Sequence, residues 1–155
     1  MHPKPLKIGI AFLSLCVAVG CTSPPEIPDE VILYSIDGRD FEEGQKPKTD
    51  EQFYGRPVLG KVALTDAKER REVWTALEAG MARPDSVETC FWPRHGVRVT
   101  QGAKQVDYVV CFECKQVLIR EGTSANMKAI SESPQVVLDK YLTRAGIKLA
   151  PKPFR

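Results

Sequence analysis

Residues 90–114 read CFWPRHGVRVTQGAKQVDYVVCFEC. They hold Cys90, Cys111 and Cys114 of the five cysteines, His95 as the one histidine beyond His2, and one of the two tryptophans. The stretch is dense in β-branched and aromatic residues, which fit a pleated surface, and is cut by Pro, Gly and short polar turns. It predicts a strand over 87–92, a tight connection at Pro93–Gly96, a strand over 97–101, a turn at Gly102 and one long strand over 106–120. A further turn at Glu121-Gly122-Thr123 leads into an edge strand over 124–130. Four successive strands with short connections make an antiparallel meander.

Working outward, 66–83 changes period. Asp66 followed three residues later by Glu69 is a capping-box pattern, and Val73, Trp74, Leu77 and Met81 recur at helical spacing, with Trp74 expected in the core. Upstream, 31–36 (VILYSI), closed by Asp37-Gly38, and 57–64 (PVLGKVAL), with Gly60 marking a bulge or close packing, predict two more strands. The polar residues 39–56 between them predict a long surface loop. Downstream, Ser133-Pro134 is a helix start, Val137, Leu138, Tyr141, Leu142 and Ala145 give one apolar face, and Gly146 ends it. The expected fold is α+β: an antiparallel meander sheet with two amphipathic helices on one face, as a single domain over 31–150. Residues 147–155 are expected as a loosely packed tail, the domain proper stopping before 151–155.

The N-terminus gives an address. Lys4 and Lys7 precede an apolar run, 8–20 (IGIAFLSLCVAVG), that is shorter than the ~20 residues a membrane-spanning helix needs, which is the pattern of a secretory signal peptide. Ala18-Val19-Gly20 before Cys21 resembles the bacterial lipobox, so 1–20 is expected as a lipoprotein signal peptide and Cys21 as the lipid attachment site. Plain signal cleavage and an uncleaved anchor are the alternatives. Residues 21–30, with three prolines, suit an extended tether. The expected place is the cell envelope, outside the cytoplasm and anchored to the membrane through lipidated Cys21.

The chain carries 22 basic and 20 acidic residues. Two lysines leave with the leader, so the mature charge is about zero. That gives no electrostatic basis for nucleic-acid binding. Composition, 43% hydrophobic and 27% charged, is that of an ordinary globular domain.

Four readings of the cysteines stay open. Cys90, His95, Cys111 and Cys114 form a Cys3His set whose intervals approach those of zinc sites. A disulfide between Cys90 and either Cys111 or Cys114 suits an exported protein and leaves one thiol over. A Cys111 or Cys114 thiolate beside an imidazolium at His95 would be reactive, although Cys-x-x-Cys inside a strand lacks the helix N-terminus that ordinarily lowers the thiol pKa. Last, the cysteines are small core residues. Glu113 has Arg94, His95 or solvent as its open partners, and Arg94 and His95 are otherwise expected to hydrogen-bond the loop or its neighbours.

LYSIDGRD at 33–40, PVLGKV at 57–62, CFWPRHG at 90–96, DYVVCFEC at 107–114 and SPQ at 133–135 together resemble a family of short bacterial exported, lipoprotein-like proteins. The resemblance implies that Cys90, His95, Cys111 and Cys114 belong to a shared pattern, and it implies no activity, cofactor or partner. There is no nucleophile elbow, no paired helical histidines and no glycine-rich phosphate loop. The leading expectation is therefore a non-enzymatic envelope lipoprotein offering the sheet end near Pro93–Gly96, or the 39–56 loop, to a protein or cell-wall partner. The alternative is a zinc-binding or thiol-active module built on Cys90, His95, Cys111 and Cys114.

Overall fold

The computed structural model describes residues 26–39 and 49–152. The leader, Cys21, the start of the tether and half of the polar loop, 40–48, fall outside the described residues. Within them, β1 (Glu30–Ile36), β2 (Gln52–Phe53), β3 (Arg56–Ala63), α1 (Ala67–Ala82), β4 (His95–Gln101), β5 (Lys104–Cys111), β6 (Gln116–Glu121), β7 (Ser124–Ala129) and α2 (Gln135–Arg144) follow in order. All seven strands form one antiparallel sheet, β2-β3-β1-β4-β5-β6-β7. The fold is α+β and dominated by its sheet. No helix among the described residues is long and apolar enough to cross a membrane.

Strand alternation sorts the core into two clusters. Val31, Leu33, Val97, Val99, Tyr108 and Val110 join Val73 and Leu77 of α1 and Leu138, Tyr141 and Leu142 of α2 in the larger one. Tyr34, Ile36, Phe53, Val58 and Val109 form the second. Trp74 packs against the first, half-buried and covering the sheet with its indole edge-on to Tyr108 at 6.0 Å.

Local signals explain most boundaries. Asp66 Oδ1 accepts from the amides of Lys68 and Glu69, which caps α1, while the Glu69 side chain turns away to Arg144. After α2, Ile147 N donates to Leu142 O and Gly146 sits at φ 73, a left-handed stop that favours glycine. Opposite Gly60 the β1–β3 register shifts between Ser35 and Ile36, and a methyl at Gly60 would lie 2.8 Å from Ile147. Both meanings expected of that glycine are present.

Four expectations need correction. The polar loop contains β2 and a Tyr54-Gly55 turn that delivers Phe53, 4% exposed, onto Tyr34 at 4.4 Å between ring centroids. Residues 87–92 are irregular rather than a strand, and Pro93–Gly96 leads straight into β4. The long strand is two: β5 and β6 are joined by a turn at 112–115 that Lys115 closes at φ 55 in place of a glycine. The meander of four strands is therefore β4 to β7. Finally, the tail after α2 is docked: Ala150 is buried, and Lys148 O and Ala150 O accept from Ser35 Oγ and Arg94 Nε at 2.8 and 2.9 Å.

Candidate functional site: three cysteines at a hairpin turn

Strand pairing brings the cysteines together. Cys111 is the last residue of β5 and pairs with Gln116, so Phe112-Glu113-Cys114-Lys115 forms the turn of the β5–β6 hairpin, with Lys115 N donating to Phe112 O at 3.1 Å. The turn undoes the rule that residues three apart in a strand face opposite ways. It folds Cys114 back so that its amide donates to Cys111 Sγ at 3.2 Å. Cys90 arrives along the irregular segment, which is fastened to the turn by Glu88 N donating to Cys114 O at 3.0 Å and by Gln116 Nε2 donating to Glu88 O. Phe91, next in the chain, packs into the second core cluster.

The result is a group of three sulfurs, all within 4.8 Å of one another. Cys111 and Cys114 are fully buried and Cys90 is half-buried. The Cα–Cα separations from Cys114 are 5.6 Å to Cys90 and 5.3 Å to Cys111, both within disulfide range. Cys114 is therefore placed to pair with either of the other two cysteines. A sulfur takes one disulfide partner, so two pairings are available and each leaves one thiol.

His95 stands apart from this group. It pairs with Ser35 and Val110 across the sheet, which places it on the face of the larger core, whereas Cys111 follows Val110 and takes the other face. Its Nε2 lies 2.7 Å from Asp139 Oδ1 and its ring meets Phe112 edge-on at 5.1 Å. Nδ1 is buried without a hydrogen-bond partner. Burial alone would raise the Asp139 carboxyl, but the hydrogen bond and charge of His95, helped by Arg94, hold it below its usual value. The imidazole is thus committed to α2, so neither the Cys3His set nor a thiolate–imidazolium pair finds support in this geometry.

Arg94 and Glu113 do pair, Arg94 NH1 on Glu113 Oε1, and Arg94 Nε reaches Ala150 O. The pair ties the residues before β4 to the hairpin turn and to the tail. Because Pro93, Arg94, His95 and Gly96 are all buried, the sheet end expected to face a partner is covered by the protein's own chain.

Sequence reasoning missed two polar ties. Asp139 gave no signal, since an acid on a helix is ordinarily solvated. The second is Asp107, 1% exposed, which takes both Arg98 nitrogens at 2.8 and 2.7 Å and the Tyr54 hydroxyl at 2.8 Å. The bond to Asp107 raises Arg98 above its ordinary value, and burial together with Asp107 raises Tyr54. Arg98, Asp107 and Arg120 stand opposite one another across β4, β5 and β6, and Tyr54 of the β2–β3 turn lies over them, its ring 5.0 Å from the Arg120 guanidinium. No protein-family profile, no curated protein and no solved structure matches this chain.

Proposed function

We propose that the mature protein is an envelope lipoprotein, held by an acyl-modified Cys21, whose domain carries a thiol–disulfide centre with Cys114 as the shared sulfur. The observation behind this reading is that Cys114 stands within disulfide range of two alternative partners. In the Cys90–Cys114 form, the Cys111 thiolate attacks Cys114 Sγ. A Cys111–Cys114 bond forms, the Cys90–Cys114 bond breaks, and Cys90 leaves as the thiolate that takes up the proton Cys111 gave up. No electrons are gained or lost. Cys90, the half-buried member, is where an exported protein thiol would exchange. Both helices on one face of the sheet is our reading of the layer order, from their joint contribution to the larger core. The resemblance to exported lipoprotein-like proteins supports the address.

One observation favours a metal ion instead: the Cys114 amide bonded to Cys111 Sγ is the hydrogen bond that stabilises a ligand thiolate. Structural zinc takes four protein ligands, and the group offers three. The disulfide is therefore the leading form.

Native and denatured mass spectrometry of the protein purified from membranes without reductant, with thiol alkylation, decides between them. The expected result is a loss of two hydrogens, one alkylatable thiol among the three, and cross-linked peptides of both pairings. A metal-sized mass lost on denaturation, with all three thiols alkylatable, transfers the site to the metal reading. Three free thiols and no metal overturn both. An unmodified Cys21 terminus in the same spectra removes the lipid anchor.

A further inference from the structure

At the other end of β4, about 20 Å along the strand from His95 at 3.3 Å per residue, a cavity of about 260 Å³ opens between α1 and the sheet. Glu26, Pro28, Trp74, Glu78, Val99 and Gln101 line it. Its walls combine a half-buried indole and aliphatic carbons with two carboxylates from different parts of the chain.

Glu78 differs from the other acids of its helix. On α1, Glu69 holds Arg144, and Glu72 holds Lys140 and the Tyr141 hydroxyl. Glu78, one turn beyond Trp74, has no hydrogen bond or ion pair among the described residues, and neither has Glu26. Burial without a compensating cation raises the Glu78 carboxyl above its usual value. Its negative charge in turn adds to burial in pushing the neighbouring Tyr108 hydroxyl up to about 12. The cavity thus has acceptors, negative potential and an aromatic wall; among the described residues no cation pairs with either carboxylate, and Arg70, whose Nε bonds the lining residue Pro28, is spent on backbone carbonyls.

We propose that this cavity binds a small organic ammonium ion, its charge between Glu78 and Glu26 and its carbon substituents against Trp74, Pro28 and Val99. Charge complementarity selects a cation. The apolar lining selects an organic one over a hydrated metal ion, since alkylammonium groups gain from indole contact while hydrated ions lose water there. A free amine and a phospholipid head group share this chemistry. The inference does not rest on the cysteine site.

The test is a titration of the full-length protein with tetramethylammonium chloride, following the two tryptophan indole N–H signals by NMR, with sodium and magnesium chloride at matched ionic strength as controls. The Trp74 signal, assigned from its loss in Trp74→Phe, should move saturably while Trp92 stays fixed. Glu78→Gln should raise the midpoint about tenfold with the remaining spectrum unchanged. Choline and a short-chain phosphatidylcholine below its micelle concentration separate the sources: tighter saturation by the lipid names a head group, and equal or weaker saturation names a free amine. Trp74 shifts that match sodium chloride, that magnesium reproduces, or that Glu78→Gln leaves unaltered overturn the proposal.

Discussion

The two pairings open to Cys114 differ in the loop each closes, and this gives a measurable sign. Cys90 and Cys114 are 24 residues apart, and Cys111 and Cys114 are three apart. On the chain-entropy relation, the longer loop stabilises by about 3.5 kcal/mol and the shorter by about 1.6 kcal/mol. Cys111→Ala leaves only the long pairing, and Cys90→Ala leaves only the short one. Each alanine also removes packing, more at fully buried Cys111, so raw melting temperatures would mix two effects. The difference in Tm with and without reductant, taken within each variant, cancels the packing loss. That difference should be larger in Cys111→Ala by about 2 kcal/mol, or roughly 6 to 10 °C for a domain of this size. Cys114→Ala should show no reductant effect. A reductant shift that survives in Cys114→Ala, or is larger in Cys90→Ala than in Cys111→Ala, would refute the shared-sulfur argument.

Asp139→Ala should destabilise by about 1 to 3 kcal/mol in denaturant unfolding, because it leaves buried His95 with neither ring nitrogen satisfied. The wild-type Asp139 carboxyl lies below its usual value, so its stabilisation is fully present above the unfolded-state pKa and is lost as pH falls through the lower folded value. Asp139→Asn should flatten that acid limb, and an unchanged limb would show that the pair carries no linked proton. Gly96→Ala should lower Tm, since its methyl would lie 2.8 Å from the Phe53 ring, and Phe53→Ala in the same chain should recover part of the spacing cost. Lys115→Gly relieves a non-glycine residue at φ 55 and should raise stability by about 1 kcal/mol; a loss there would mean the Lys115 side chain matters more than its backbone.

What could be foreseen followed the length scale of the signal. Strands β1, β3 and β7, both helices and the turns at Gly102 and Gly122 carry their causes within a few residues: β-branched runs, an Asp66 cap, a Gly146 stop. The cysteine hairpin turns without a glycine because Lys115 adopts the left-handed region, and nothing in Cys-Phe-Glu-Cys-Lys announces that. Missing the turn displaced everything hung on it. With β5 and β6 taken as one strand, Cys111 and Cys114 fall on opposite faces, and with 87–92 taken as a strand hairpinned onto 97–101, Cys90 lies away from Cys111. The observed segment needs no ladder, since Glu88, Phe91 and the Arg94–Glu113 pair hold it. Likewise the tail is legible only once Arg94 and Ser35 are seen to need acceptors that Ala150 and Lys148 supply.

The surroundings of the three sulfurs bear on their state as much as their spacing does. Three thiolates around a divalent ion carry a net charge of minus one, which burial penalises unless cations answer it. The nearest charged neighbours along the chain are Glu88, Glu113 and Lys115, and the buried guanidinium of Arg94 is already taken by Glu113 and Ala150 O. Lys115 is only half-buried, and its backbone is held by the turn. A disulfide has no charge, so this pairing sits in the same pocket without a counter-ion. The amide bond to Cys111 Sγ then has a different use. In the proposed exchange it would favour the thiolate of the residue that attacks Cys114 as Cys90 is displaced.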